Sequence, residues 1–208
     1  MTDLKRLWRF MHKDVQWLDA RVQDDVWLFA WCRLRLGASM AWSNDAVPYN
    51  CGWHACAGTQ EESYVHTFVE CPLAVTLRAK CESLVASMGG GTPVCLTTRE
   101  WLFGMDPTQR AAGRWSPTKL LVVQWLLCIA KHVLWTATRD RRDGKVDLTE
   151  SLWRQIVGLH AVPMKRLLQQ RATQQWGRFA TQVNGEWQLH YGGDASGPAV
   201  DDREENRE

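Results

Sequence analysis

The chain has 208 residues, 45% of them hydrophobic, so it can bury a core and does not read as disordered. Its 25 Lys and Arg nearly balance its 23 Asp and Glu, and a formal net charge of +2 does not by itself announce a nucleic-acid binder. Seven cysteines are an odd number, which argues against a complete disulfide framework.

The first twenty residues mix charge with bulk and lack the apolar core of a secretory signal, so the expected setting is intracellular, with reduced thiols. Leu4, Leu7, Trp8, Met11, Val15 and Leu18 recur at helical spacing and predict an amphipathic helix over roughly 3–20. A second helix is expected from about Asp24 to Leu36, with Asp24 or Asp25 as its cap and Gly37 at its end. Residues 43–60 are rich in Ser, Asn, Pro and Gly and read as a loop that holds Cys51 and Cys56. Helical pattern resumes at Glu61. Pro72 then opens a helix with the stripe Leu73, Leu77, Leu84, Val85 and Met88, and Gly89, Gly90 and Gly91 close it.

The second half begins with a short segment around Trp101–Phe103. Ser116-Pro117 is an N-cap and first-turn pair for a helix over about 117–140. The longest apolar stretch within it, Leu120 to Ala130, falls short of the about twenty residues of a membrane span. Asp147 and Glu150 have capping-box spacing for a further helix, which Pro163 should break or kink, with another helix over roughly 164–180. Asn184-Gly185 between short apolar runs predicts a β-hairpin. Residues 191–208 carry a net charge of −4, leaving +6 on the rest, and read as an acidic disordered tail. The expected architecture is mostly α: a helical metal-binding module over 1–90, a helical bundle segment over 91–190, then the tail. Most of the thirteen tryptophans should be core.

The spacing Cys51-x4-Cys56-x9-His66-x4-Cys71 supplies a Cys3His set, a common closed arrangement for one structural zinc. Buried unmetallated cysteines and a disulfide are the competing readings, and His54 is the rival ligand, since Cys51-x2-His54 is also a workable pair. His66 and Cys71 stand five positions apart, beyond one helical turn, and are expected to converge where the helix ends or tightens before Pro72. Cys32, Cys81, Cys95 and Cys128 fall at apolar positions and read as packing residues; His12, His132, His160 and His190 read as isolated. No Gly-rich phosphate loop follows Gly89-Gly90-Gly91, and no nucleophile constellation is legible, so the expectation is of a chain that is not an enzyme.

The segments DDVWLFAWCRLRLG and CGWHACAGTQEESYVHTFVECPLA together resemble the zinc-binding region that lies C-terminal to the reverse transcriptase of LINE-type (non-LTR) retrotransposons. Trp27, Phe29, Trp31, Leu34, Cys51, Cys56, Glu61, Glu62, His66, Phe68, Glu70, Cys71 and Pro72 carry the resemblance, which covers about 24–90. Trp135 and Arg139 resemble the Trp-x3-Arg end of that family's following helix. The first cysteine pair is wider than is usual there, and neither polymerase nor endonuclease is legible: Asp24-Asp25 read as a helix cap, not as polymerase metal ligands. The resemblance implies a detached C-terminal piece that contributes RNA or target-DNA binding.

Arg33 and Arg35, the cluster Arg139, Arg141, Arg142 and Lys145, and the further sets Lys5, Arg6, Arg9 and Lys165, Arg166, Arg171, Arg178 are the cations available to phosphates. Each set also reads as an ordinary solvated helix face. Trp42 and Trp53 are the aromatics considered for base stacking, with packing over the metal the alternative for Trp53. The alternative function is a zinc-stapled helical scaffold for a protein partner, such as a reverse transcriptase.

Overall fold

Asp19, not Asp24 or Asp25, caps the first long helix: its carboxylate accepts the Arg21 N–H at 2.9 Å. That helix, α1, runs Ala20–Ala30 in a computed structural model that describes residues 10–34, 36, 50–56, 59–105, 115–140, 149–170, 176 and 179–191, without the side chains of His54, Arg139 and Asp140. The expected helix over 3–20 is interrupted. A helical turn over 10–13 gives way to a 3-10 turn at Val15–Trp17, and Leu18 is extended. Asp24 and Asp25 therefore lie inside α1, and the helix ends at Ala30, well before the expected Leu36, while Gly37 lies outside the described residues.

Helix α2 (Pro72–Met88) buries the whole expected stripe Leu73, Leu77, Leu84, Val85 and Met88. Its end is a Schellman closure: the Gly91 N–H reaches the Ala86 carbonyl at 2.8 Å, made feasible by Gly90 at φ 89°. Helix α3 (Thr98–Phe103) starts from a capping box between Thr97 and Glu100. Helix α4 (Pro117–Asp140) has the expected bounds, with the Ser116 hydroxyl accepting the Lys119 N–H at 3.2 Å.

By length and composition α4 is apolar enough to cross a membrane, with mean hydropathy 1.6 over Pro117–Thr138, yet 72% of that window is buried inside the fold. It is the central core helix here. The eleven-residue sequence count stopped short because Lys131 interrupts it. In the fold Lys131 is itself buried, its Nζ donating to the Trp101 and Leu102 carbonyls at 3.2 and 3.1 Å and lying 5.2 Å from the Phe29 ring centre. Burial lowers the Lys131 pKa and pushes the neighbouring thiols up, Cys81 to about 12.

Helix α5 (Thr149–Gln170) continues through Pro163 as one element, which corrects the expected break and the separate helix over 164–180. The lost backbone bond is offset by packing, because Ile156, His160, Met164, Leu167 and Leu168 keep one buried face across the proline. Asp147 lies outside the described residues. His160 joins α5 to α4 and to the chain beyond the hairpin: its Nε2–H donates to the Val122 carbonyl and the Tyr191 hydroxyl donates to its Nδ1, each at 3.1 Å. Strands β1 (Ala180–Val183) and β2 (Glu186–Leu189) pair antiparallel about Asn184 at φ 51° and Gly185 at φ 83°, the turn that the Asn-Gly pair predicts.

The protein is thus mostly α-helical with one C-terminal hairpin among the described residues. Its buried apolar residues form one cluster, from Phe10 through Cys51–Cys71 and α4 to Ala180. Trp53, Trp101, Trp125, Trp135, Trp153 and Trp176 are buried, and Trp17, Trp27, Trp115 and Trp187 pack against the cluster. Trp31 is 59% exposed. Residues 192–208, the expected tail, lie outside the described residues.

Candidate metal centre

Two short backbone devices bring the front pair of cysteines together. An antiparallel bridge joins Asn50 to Glu61, and the Cys51 N–H donates to the Gln60 carbonyl at 2.7 Å, so the loop returns on itself. Within that loop a 3-10 turn at His54–Cys56 points Cys56 inward; its carbonyl accepts both the N–H and the hydroxyl of Thr59, at 3.0 and 2.8 Å. Trp53, between the two cysteines, is buried.

The back pair is set by a wider turn, not a tighter one. His66–Glu70 form a π-helical turn in which the Cys71 N–H donates to the His66 carbonyl at 2.7 Å. An i→i+5 turn places residues five apart one above the other. Of the two expected routes to convergence, the helix does end before Pro72, while its last turn widens where tightening was the alternative. Cys71 itself leaves the helix, at φ −56° and ψ 130°, as a residue before proline must. It also occupies the N-cap position of α2, without a side-chain capping hydrogen bond, so its sulfur is left to the other three ligand atoms. The Ser63 hydroxyl accepts the His66 N–H at 3.1 Å and fixes the start of the turn.

The four ligand atoms of Cys51, Cys56, His66 and Cys71 lie within 4.8 Å of one another, and all four residues are buried. Cys56 Sγ is 3.4 Å from His66 Nε2 and 3.9 Å from Cys71 Sγ. A tetrahedral zinc with ordinary bond lengths requires about 3.6 Å between sulfur and nitrogen and about 3.8 Å between two sulfurs. The residues fit such an ion. They do not form a disulfide: all seven cysteines are free, and the sulfurs are far beyond the roughly 2 Å of an S–S bond. The four residues can hold one metal ion through three thiolates and an imidazole, a closed donor set. The His54 side chain lies outside the described residues.

The centre is tied into the core through Phe68, in the middle of the π-turn. Its ring meets Phe29 edge-on at 5.0 Å and Tyr64 at 5.9 Å, and its carbonyl accepts the Trp101 indole N–H at 2.5 Å. The Tyr64 hydroxyl accepts the Leu34 N–H at 2.6 Å, and burial pushes its pKa up to about 12. The candidate ligand segment is therefore joined to α1 by ring contacts and to α3 by the Trp101 hydrogen bond.

The expected cations are less fully placed. Arg33 is exposed on the surface after α1, and Lys165 and Arg166 are exposed on α5. Arg35, Arg141, Arg142 and Lys145 lie outside the described residues, as do Lys5, Arg6, Arg9, Arg171, Arg178 and Trp42, and the Arg139 side chain is not described. Burial removes Trp53 as a base platform. Cys32 and Cys95 are exposed, which corrects their reading as packing residues, because α1 has already ended at Cys32 and Cys95 precedes α3; Cys81 and Cys128 are buried as expected.

His132, isolated in the sequence, is paired in space: its Nδ1 and Asp25 Oδ2 are 2.6 Å apart, joining α4 to α1. Asp25 acts as that partner and not as a cap. No local sequence signal links residues 107 positions apart. The pair borders an open cleft of about 410 Å³ lined also by Arg21, Asp24 and Thr136. Cys128 lies one turn before His132, but its sulfur accepts a hydrogen bond from Gln124 Nε2 at 3.7 Å and burial raises its pKa, so it lacks the activation a cysteine nucleophile needs. No family model, curated protein or solved structure matches the chain.

Proposed function

We propose that the chain is a non-catalytic module built around one structural zinc, and that it binds nucleic acid, RNA or target DNA, inside the cell. The observation that carries the zinc is the convergence of Cys51, Cys56, His66 and Cys71 at spacings suited to a tetrahedral ion. A Cys3His donor set with every ligand buried suits a structural role, since it leaves no open position for a substrate. The nucleic-acid reading rests on the resemblance to the retrotransposon zinc-binding region, with support from the exposed Arg33, Lys165 and Arg166. A protein scaffold is the second reading, favoured by the exposed Val65, Val75 and Phe103.

The test is the salt dependence of binding. Zinc-loaded protein titrated with labelled RNA and DNA should show affinity falling with salt at a log–log slope of about −2 to −4, as for three to five phosphate contacts. Absence of binding at low salt would contradict the reading. A salt-insensitive complex with a protein partner would favour the scaffold.

A further inference from the structure

The most exposed of the large apolar side chains on the described surface is Trp31, at 59%, and it stands on a built platform. It follows the last turn of α1. Cys32 then adopts φ 50°, a left-handed conformation that a residue with a Cβ takes only when its surroundings hold it. Three hydrogen bonds do the holding: Cys32 N–H to the Phe29 carbonyl at 3.0 Å, Arg33 N–H to the Leu28 carbonyl at 2.7 Å, and Leu34 N–H to the Tyr64 hydroxyl at 2.6 Å. Leu34 is buried, so the segment is anchored directly after the exposed residues.

Arg21, Asp24, Leu28 and Trp31 are all exposed and recur at i, i+3, i+7 and i+10, which makes them one outward face of α1, about 15 Å long. Arg33, also exposed, follows at its end. The apolar part of this face is one indole and one leucine, too little for a stable protein interface of about 1,200 Å² or more. A single exposed ring with an exposed arginine two positions along the chain suits a different ligand, a base stacked on the ring with its phosphate on the cation. Duplex bases are already stacked on each other and offer no free face.

We infer that the outward face of α1 binds single-stranded nucleic acid, with Trp31 as the stacking platform and Arg33 and Arg21 as phosphate contacts. The inference rests on the nucleic-acid reading above and narrows it from nucleic acid in general to unpaired strands. Asp24 lies between the two cations and opposes them, so stacking should matter more than charge at this face.

The experiment compares fluorescein-labelled dT15 and rU15 with a dT15·dA15 duplex on zinc-loaded full-length protein, by anisotropy. Wild type should bind the single strands more tightly than the duplex by about tenfold. Trp31→Ala should weaken single-strand binding by about tenfold or more with little effect on the duplex, and Trp31→Phe should restore most of the loss. Since Trp31 is exposed, the variants should melt like wild type. Equal binding of single strand and duplex, unchanged in Trp31→Ala, overturns the inference and leaves the broader reading standing. No binding of any probe overturns both. A wild-type dimer that Trp31→Ala converts to monomer in sedimentation overturns it by assigning the face to a protein contact.

Discussion

Replacing Cys56 and Cys71 together by serine is expected to abolish metal binding and most of the cooperative unfolding transition. Cys71 carries more than a ligand. It sits fully buried between the π-turn and α2, where serine keeps the backbone N–H that closes the turn but places a polar hydroxyl where the sulfur was. A structural zinc supplies roughly 10–16 kcal/mol of apparent binding energy, comparable to the whole stability of a domain at roughly 5–15 kcal/mol. With two thiolates gone, His66 and Cys51 alone do not close a tetrahedron, and the π-turn loses the reason for its width. Far-ultraviolet circular dichroism during heating reads the effect. Cys32→Ser, at an exposed cysteine outside the candidate ligand set, serves as the control and should change stability by no more than about 0.5 kcal/mol. A double variant that melts at the wild-type temperature would contradict this account.

The second large effect is expected on acidification, through His160. It is fully buried, with Nε2 against the Val122 carbonyl and Nδ1 against the Tyr191 hydroxyl, and burial lowers its pKa from 6.5 to about 4. The fold therefore binds this proton less readily than the unfolded chain does. The stabilising contribution is complete above about pH 6.5 and is lost as pH falls from there toward 4. The loss amounts to about 3 kcal/mol across that window, of which about 2 kcal/mol should be gone by pH 5. Urea unfolding of wild type and His160→Gln at pH 7.5 and pH 5 isolates it, since glutamine takes up no proton. The stability gap between the two proteins should shrink by about 2 kcal/mol at the lower pH. Parallel loss in both proteins would show that His160 is not the group responsible.

Much of the local architecture was legible because it is written in local chemistry. Ser116-Pro117, the three glycines after Met88 and the Asn184-Gly185 turn each constrain the backbone within a few residues, and each element ends or begins where those constraints place it. The convergence of Cys51, Cys56, His66 and Cys71 was legible for a similar reason, as a donor set whose spacing suits one ion. What was not legible depends on partners far along the chain. Asp25 looks like a cap beside Asp24, and only α4 packing on α1 makes it the partner of His132. Lys131 looks like a break in an apolar run until the end of α3 supplies its carbonyls. Pro163 looks like a terminator because its lost hydrogen bond is local, whereas the packing that carries α5 through it is not. The π-turn is the subtlest case. A shared metal asks His66 and Cys71 to converge, and an ended, a tightened or a widened turn each satisfies that.

The central claim, one zinc held by Cys51, Cys56, His66 and Cys71, is tested most directly by the metal content of the purified wild-type chain after a brief chelator rinse that removes loosely bound ions. Native mass spectrometry should find one zinc per chain. A chain free of metal, folded and as stable as before the rinse, would contradict the claim.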